Sequence, residues 1–146
     1  MPRLTTAVVV VLGLAVAGTR AGAQQPGPTR GVELDYAFFR DKVQPVLLHK
    51  RENLARCYVC HSQGTPFQLQ PLTPAATMWD EEQSRKNFDA VRRLVVPGDT
   101  TKSLLLLMPL AEQAGGTPFH PGGKHFQSQS DPEWQTLAAW VKGSKQ

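Results

Sequence analysis

Cys57-Tyr58-Val59-Cys60-His61 decides how this chain is read. The run is C-x-x-C-H, and its two cysteines are the only ones in the 146-residue sequence. This is the attachment pattern of c-type haem. Two thiols add across the two vinyl groups of the porphyrin and become thioethers. Two intervening residues match the spread of the vinyls when the segment coils into one helical turn. The histidine that follows then lies beneath the iron and offers an axial nitrogen. Cys57, Cys60 and His61 are thus the expected attachment and proximal-ligand residues, and one covalently held haem c is the expected cofactor. Two other chemistries use the same spacing. A thioredoxin-like redox pair needs a strand–helix–strand context, and no such alternation is visible. A zinc site would have to recruit His120 and His125, much further downstream than a second ligand pair usually lies.

The N-terminus reads in the same direction. Arg3 precedes an apolar stretch from Ala7 to Gly18, and Ala21-Gly22-Ala23 is a small-x-small cleavage signal. This is the pattern of a secretory signal peptide over 1–23, cleaved near Ala23. An uncleaved anchor is the rival reading, although the run is shorter than the ~20 residues of a bilayer span. No cysteine stands at the cleavage site to carry a lipid. Covalent haem attachment takes place outside the cytoplasm, so export and C-x-x-C-H imply each other. A periplasmic or envelope location follows.

Cleavage removes two of the 16 basic side chains, Arg3 and Arg20, and no acidic one, so the net charge of +4 falls to +2. Two haem propionates roughly cancel that charge, and nothing in the balance points to nucleic acid. With both cysteines taken by haem, no disulfide remains, and the macrocycle itself would staple a small domain.

The remaining chain divides into a Pro-, Gly- and Gln-rich leader, 24–32, and one domain, 33–146. Leu34, Phe38, Phe39, Val43 and Leu47 form a helical stripe. Pro45 interrupts it and predicts a kink or an end near Asp41 to Lys42. Thr65 to Thr77 carries three prolines and reads as a loop wrapping one side of the haem. Asp80-Glu81-Glu82 opens a second helix, with Phe88, Val91, Leu94 and Val95 inward and Val96-Pro97-Gly98-Asp99 as its stop. Ser103 to Leu107 is a short helical segment ended by Pro109. Glu112 to Ser130, rich in glycine, is a long loop of the functional or disordered kind. The last helix starts at Asp131-Pro132, or at a Ser130/Glu133 capping box, buries Trp134, Leu137, Ala138 and Val141, and ends at Gly143. The fold class is all-α, with about three to five helices around the haem. The first and last helices should cross, with Phe38 or Phe39 near Trp134 or Leu137.

The second axial ligand has five candidates. His49 sits too close to the haem turn to reach over the ring and reads as a surface residue. Met78 precedes Trp79 and reads as core filler. Met108 stands in a Met-Pro step that stiffens its approach. His120 lies in His120-Pro121-Gly122-Gly123-Lys124-His125, where glycines let backbone approach a flat ring. Lys124 is placed either to pair with a propionate or to be solvated. His125 is the remaining option.

The chain also resembles a known family. The elements are Phe38-Phe39-Arg40-Asp41-Lys42-Val43-Gln44-Pro45-Val46, the C-x-x-C-H run, and Pro97-Gly98-Asp99 with Ser103 and Leu104 to Leu107. His120-x-Gly122-Gly123-Lys124 and Trp134-x-x-Leu137-x-x-Trp140-Val141 complete them. Together they resemble planctomycete-type single-haem cytochrome c domains, a branch of the class I cytochrome c-like fold, over Tyr36 to Gly143. The resemblance implies His120 as the distal iron ligand, with Met108 the alternative, since Met108 follows Ser103 too soon. It departs from the family at Pro121 and in the extra Met108-Pro109 step. It further implies that a proline carbonyl, that of Pro71, accepts the second N–H of His61.

The functional expectation is an exported electron carrier rather than an enzyme, working with redox partner proteins in the envelope. No nucleophile–base set is visible, and Asp80, Glu81 and Glu82 read as a helix start. The alternatives are a haem-based sensor of small ligands and an electron-entry subunit of a larger envelope oxidoreductase.

Overall fold

The computed structural model describes residues 31–146. The expected signal peptide, and all of the leader except Gly31 and Val32, lie outside the described residues. Among those described, the regular structure is helical and no strand forms; two isolated bridges, Val96 with Asp99 and Leu110 with Phe126, are the only extended pairings. No described helix is long and apolar enough to cross a membrane.

The first helical segment runs from α1 (Tyr36–Phe38) through a π-helical turn (Phe39–Val43) into α2 (Gln44–Leu48). The π-turn is the interruption that Pro45 demands. Pro45 has no N–H for the helical ladder, and the preceding turn widens so that Gln44 N–H reaches the carbonyl of Phe39. The chain therefore continues in nearly the same direction instead of stopping. Asp35 caps the start by accepting from Phe38 N–H at 2.6 Å.

The haem-type motif forms its own single turn, α3 (Cys57–His61). α4 (Glu81–Val91) has a full capping box, Asp80 with Gln83. Its inward face differs from the apolar stripe expected. Ser84 and Asn87 are buried with Val91, while Phe88, Leu94 and Val95 are half-buried. Each of the two polar side chains makes one bond to a neighbouring element: Ser84 Oγ donates to Gln44 Oε1 (3.2 Å), and Asn87 Oδ1 accepts from Gln70 N–H (2.7 Å), while the amide nitrogens of Gln44 and Asn87 have no protein partner among the described residues. α4 thus holds both the first helix and the proline-rich loop by specific bonds. α5 (Leu104–Leu107) is one turn, and α6 (Pro132–Val141) closes the domain, capped by Asp131 at Glu133 and Trp134 N–H. The Asp131-Pro132 start is the one used.

The first and last helical segments do cross, and an aromatic cluster fills the crossing. Phe39 packs on Trp140 (ring centres 5.3 Å) and edge-on to Phe88 (5.4 Å), and Phe88 also meets Trp140 (6.0 Å). The contact residue on α6 is Trp140, not Trp134 or Leu137. Trp140 is fully buried and donates its indole N–H to the carbonyl of Asp35 (2.8 Å). Trp134 turns the other way and donates to the carbonyl of Leu106 (3.3 Å), tying α6 to α5. Met78, expected in the core, is 45% exposed; Trp79 takes the inward position beside it.

Trp140→Ala should destabilise the fold by about 3–5 kcal/mol, measured as the urea unfolding free energy, because it empties the crossing. Phe119→Ala, at a 72% exposed position, should move the same measurement by less than about 0.5 kcal/mol.

Candidate functional site

Cys57, Cys60 and His61 stand at i, i+3 and i+4 and therefore share one face of α3. Tyr58 points the other way, edge-on to Trp79 at 6.1 Å. The shared face opens on a cavity of about 360 Å³. α2 contributes Val46 and Leu47 to its wall, α5 Leu104 and Leu105, and α6 Leu137. Met108 and His120 line it together with His61. The wall is apolar apart from the thiols, two imidazoles and Thr65. All five residues singled out from the sequence therefore meet in one space. Both thiols are free, and burial pushes the Cys57 thiol up from its ordinary value.

The two imidazoles are the informative pair. Their ring centres are 6.2 Å apart and their planes differ by 17°. His61 Nδ1 lies 3.2 Å from the carbonyl of Phe67, and His120 Nδ1 lies 2.7 Å from the carbonyl of Gly123. A carbonyl can only accept, so each Nδ1 carries the proton and each Nε2 keeps a lone pair. Neither Nε2 makes a hydrogen bond to protein among the described residues. This is the arrangement of a metal-ligating histidine, in which the second ring nitrogen is oriented by a carbonyl. Two imidazoles sharing one ion from opposite sides, each about 2 Å from it, have ring centres about 6 Å apart. Burial holds the His61 pKa below the usual imidazole range; the Phe67 carbonyl opposes that shift, and His120 adds to it. A neutral ring is the ligating form.

The oriented proximal carbonyl is that of Phe67, not Pro71. Pro71 accepts from Gln83 Nε2 (2.9 Å) on α4 and is thereby turned away. The loop does wrap the cavity, through Thr65, Pro66 and Phe67.

The long segment from Glu112 to Ser130 has one 3-10 turn, Glu112–Ala114, and is otherwise irregular. Its position is nonetheless determined at both ends. Ala111 N–H donates to Phe126 and Phe126 N–H to Pro109, while Thr117 N–H donates to Leu107. The glycines after His120 serve the imidazole rather than a ring plane. A Cβ on Gly122 would come within 3.2 Å of His120, and Gly123, at φ +82°, turns its carbonyl back to His120 Nδ1.

The other candidates fall apart from this pair. Met108 Sδ lies in the cavity but accepts a hydrogen bond from Thr117 Oγ1 (3.5 Å). Lys124 is neither solvated nor free: its ammonium donates to Met108 O (3.0 Å), Thr117 O and Thr117 Oγ1 (3.3 Å). All three of its N–H donors are occupied. His125 is buried behind His120, its Nδ1 without a partner, and does not reach the cavity wall. His49 is exposed and pairs with Glu133 (2.8 Å). No group of three or more His, Cys, Asp or Glu converges as a metal cluster among the described residues, so a closed zinc site is not formed. Sequence reasoning passed over Phe67. Its carbonyl carries no sequence signature, although Thr65 two residues earlier bonds the same carbonyl.

Compared with known proteins, the chain finds no match: no family model, no curated protein and no solved structure.

Burial, and then the Arg51 cation, lower the His125 pKa to about 4. The unfolded chain protonates this side chain near 6.5 and the folded chain resists it, so stability should fall as pH drops from about 6.5 towards about 4. Urea unfolding at about pH 7 and about pH 4.5 should show a loss of about 1–2 kcal/mol from this group, since solvent screens part of the effect. His125→Gln should lose less over the same interval.

Proposed function

We propose that the protein is an exported single-haem c-type cytochrome that carries electrons in the cell envelope, with the architecture of a planctomycete-type, class I cytochrome c-like domain. One observation carries the reading. A single apolar cavity is lined by both thiols of a C-x-x-C-H turn and by two imidazoles, 6.2 Å apart, whose Nε2 atoms make no hydrogen bond to protein among the described residues and whose Nδ1 atoms are held by carbonyls.

The residues divide the work. Cys57 and Cys60 are the thioether donors. His61, oriented by Phe67, is the proximal iron ligand, and His120, oriented by Gly123, is the distal one. A haem held there would supply one-electron redox chemistry at its iron. Val46, Leu47, Leu105 and Leu137 exclude water from the cavity, and exclusion of water together with the axial ligands sets the potential. With His61 and His120 both offering an imidazole, a haem held between them would need no further ligand from solvent in either oxidation state. That favours electron transfer over capture of a small ligand. Redox partner proteins of the envelope, including a larger oxidoreductase, are the implied partners.

Protein exported with working maturation machinery should carry the mass of one covalent haem after denaturation and acid extraction. Its ferric spectrum should be low-spin without the near-red sulfur-to-iron band, and carbon monoxide should leave the ferrous spectrum unmoved. His120→Ala should turn the haem high-spin and open it to the gas, whereas Met108→Leu should not. A bare peptide mass would sink the proposal; a sulfur-to-iron band would replace His120 by Met108.

A further inference from the structure

A second cavity, of about 440 Å³, adjoins the first. Thr65, Pro66, Phe67 and Leu94 are walls of both. The second adds Gln68, from the loop after His61, and Arg93, from the 3-10 turn that ends α4. Arg93 is the one lysine or arginine on the walls of either cavity, and no carboxylate lines them. His61 and His120 are the only other side chains there, besides the two thiols, that titrate.

The neighbouring cations are already paired. Arg85 meets Glu81 (2.6 Å), Lys86 meets Glu82 (2.7 Å) and Arg92 meets Asp89 (3.1 Å). Arg93 has no such carboxylate and no hydrogen-bond partner among the described residues. Its guanidinium is thus the one cation on this stretch left to meet an anion from outside the chain.

A haem is an apolar ring with two carboxylates on one edge. Ionised carboxylates are strongly disfavoured against a wall as apolar as the first cavity's. They have to leave through an opening that offers donors or positive charge. On the reading of the protein as a haem carrier, we infer that the second cavity is the exit for the haem propionates and that Arg93 pairs with one of them. A guanidinium offers the planar pair of donors that a carboxylate accepts. Of the other cations beside the first cavity, Lys124 has its donors committed to backbone and Thr117, and Arg51, stacked over Phe126, is already paired with Glu133.

The test is the reduction potential of the haem-loaded protein followed against pH. A nearby cation favours the ionised propionate and lowers its pKa, so removing the cation moves the propionate step in that curve to higher pH. Arg93→Ala and Arg93→Gln should each move it up by about one pH unit, an estimate kept small because the site is open to solvent. Arg93→Lys should hold it close to the original position. Arg92→Ala, which breaks only a surface pair, should leave it alone. A curve unchanged in Arg93→Ala and Arg93→Gln, or shifted equally in Arg92→Ala, overturns the assignment. Haem content, read separately by mass, keeps this outcome distinct from failure of the functional proposal: a loaded protein indifferent to Arg93 overturns only the propionate site.

Discussion

The crossing of the first and last helical segments on Phe39 and Trp140 is what the rest of the structure leans on. Among the described residues no helix is long enough to be stable alone; the longest, Glu81–Val91, spans 11 residues. Their stability must come from packing, and the crossing supplies it through three large rings and one long-range bond from Trp140 to the carbonyl of Asp35. On the other side of that corner, Val46 and Leu47 of α2 and Leu137 of α6 line the cavity. The cavity is the part of the core that the chain does not fill.

What occupies the two sides of that space is settled by hydrogen-bond chemistry rather than by shape. A carbonyl accepts and never donates, so one acceptor beside each Nδ1 fixes both tautomers and leaves both Nε2 atoms available. The carbonyls come from unrelated places, Phe67 in a proline-rich loop and Gly123 in a glycine turn, yet they perform the same task. Lys124 contributes indirectly. By gathering Met108 O and Thr117 it closes the loop that carries His120, and it keeps Thr117 beside the Met108 sulfur.

Much of this was legible in the chain because it is encoded locally. The common face of Cys57, Cys60 and His61 follows from helical spacing. The caps at Asp80 and Asp131 follow from side chains two or three residues from the amides they satisfy. The disturbance by Pro45 was also readable, since a missing N–H acts within one turn; its form is a π-turn and not a break, with the first and last residues of that turn, Phe39 and Val43, both buried in the core. The inward face of α4 was less legible. Its apolar residues suggested one stripe, but Ser84 and Asn87 are buried because Gln44 and Gln70 offer them partners.

The sequence alone determined the C-x-x-C-H turn, the helical class, the helix ends and a short roster of residues that could meet His61, because each of these is set by residues within a turn or two of one another. Only the tertiary structure decided among the rest: that His120 and not Met108 or His125 faces His61 with a free nitrogen, that Phe67 replaces Pro71, that Trp140 fills the crossing, and that Lys124 is spent while Arg93 is left unpaired. These outcomes depend on groups as far apart as Asp35 and Trp140, 105 positions along the chain. Such groups meet only when the packing of the whole domain brings them together, and no local pattern of residue types encodes that meeting.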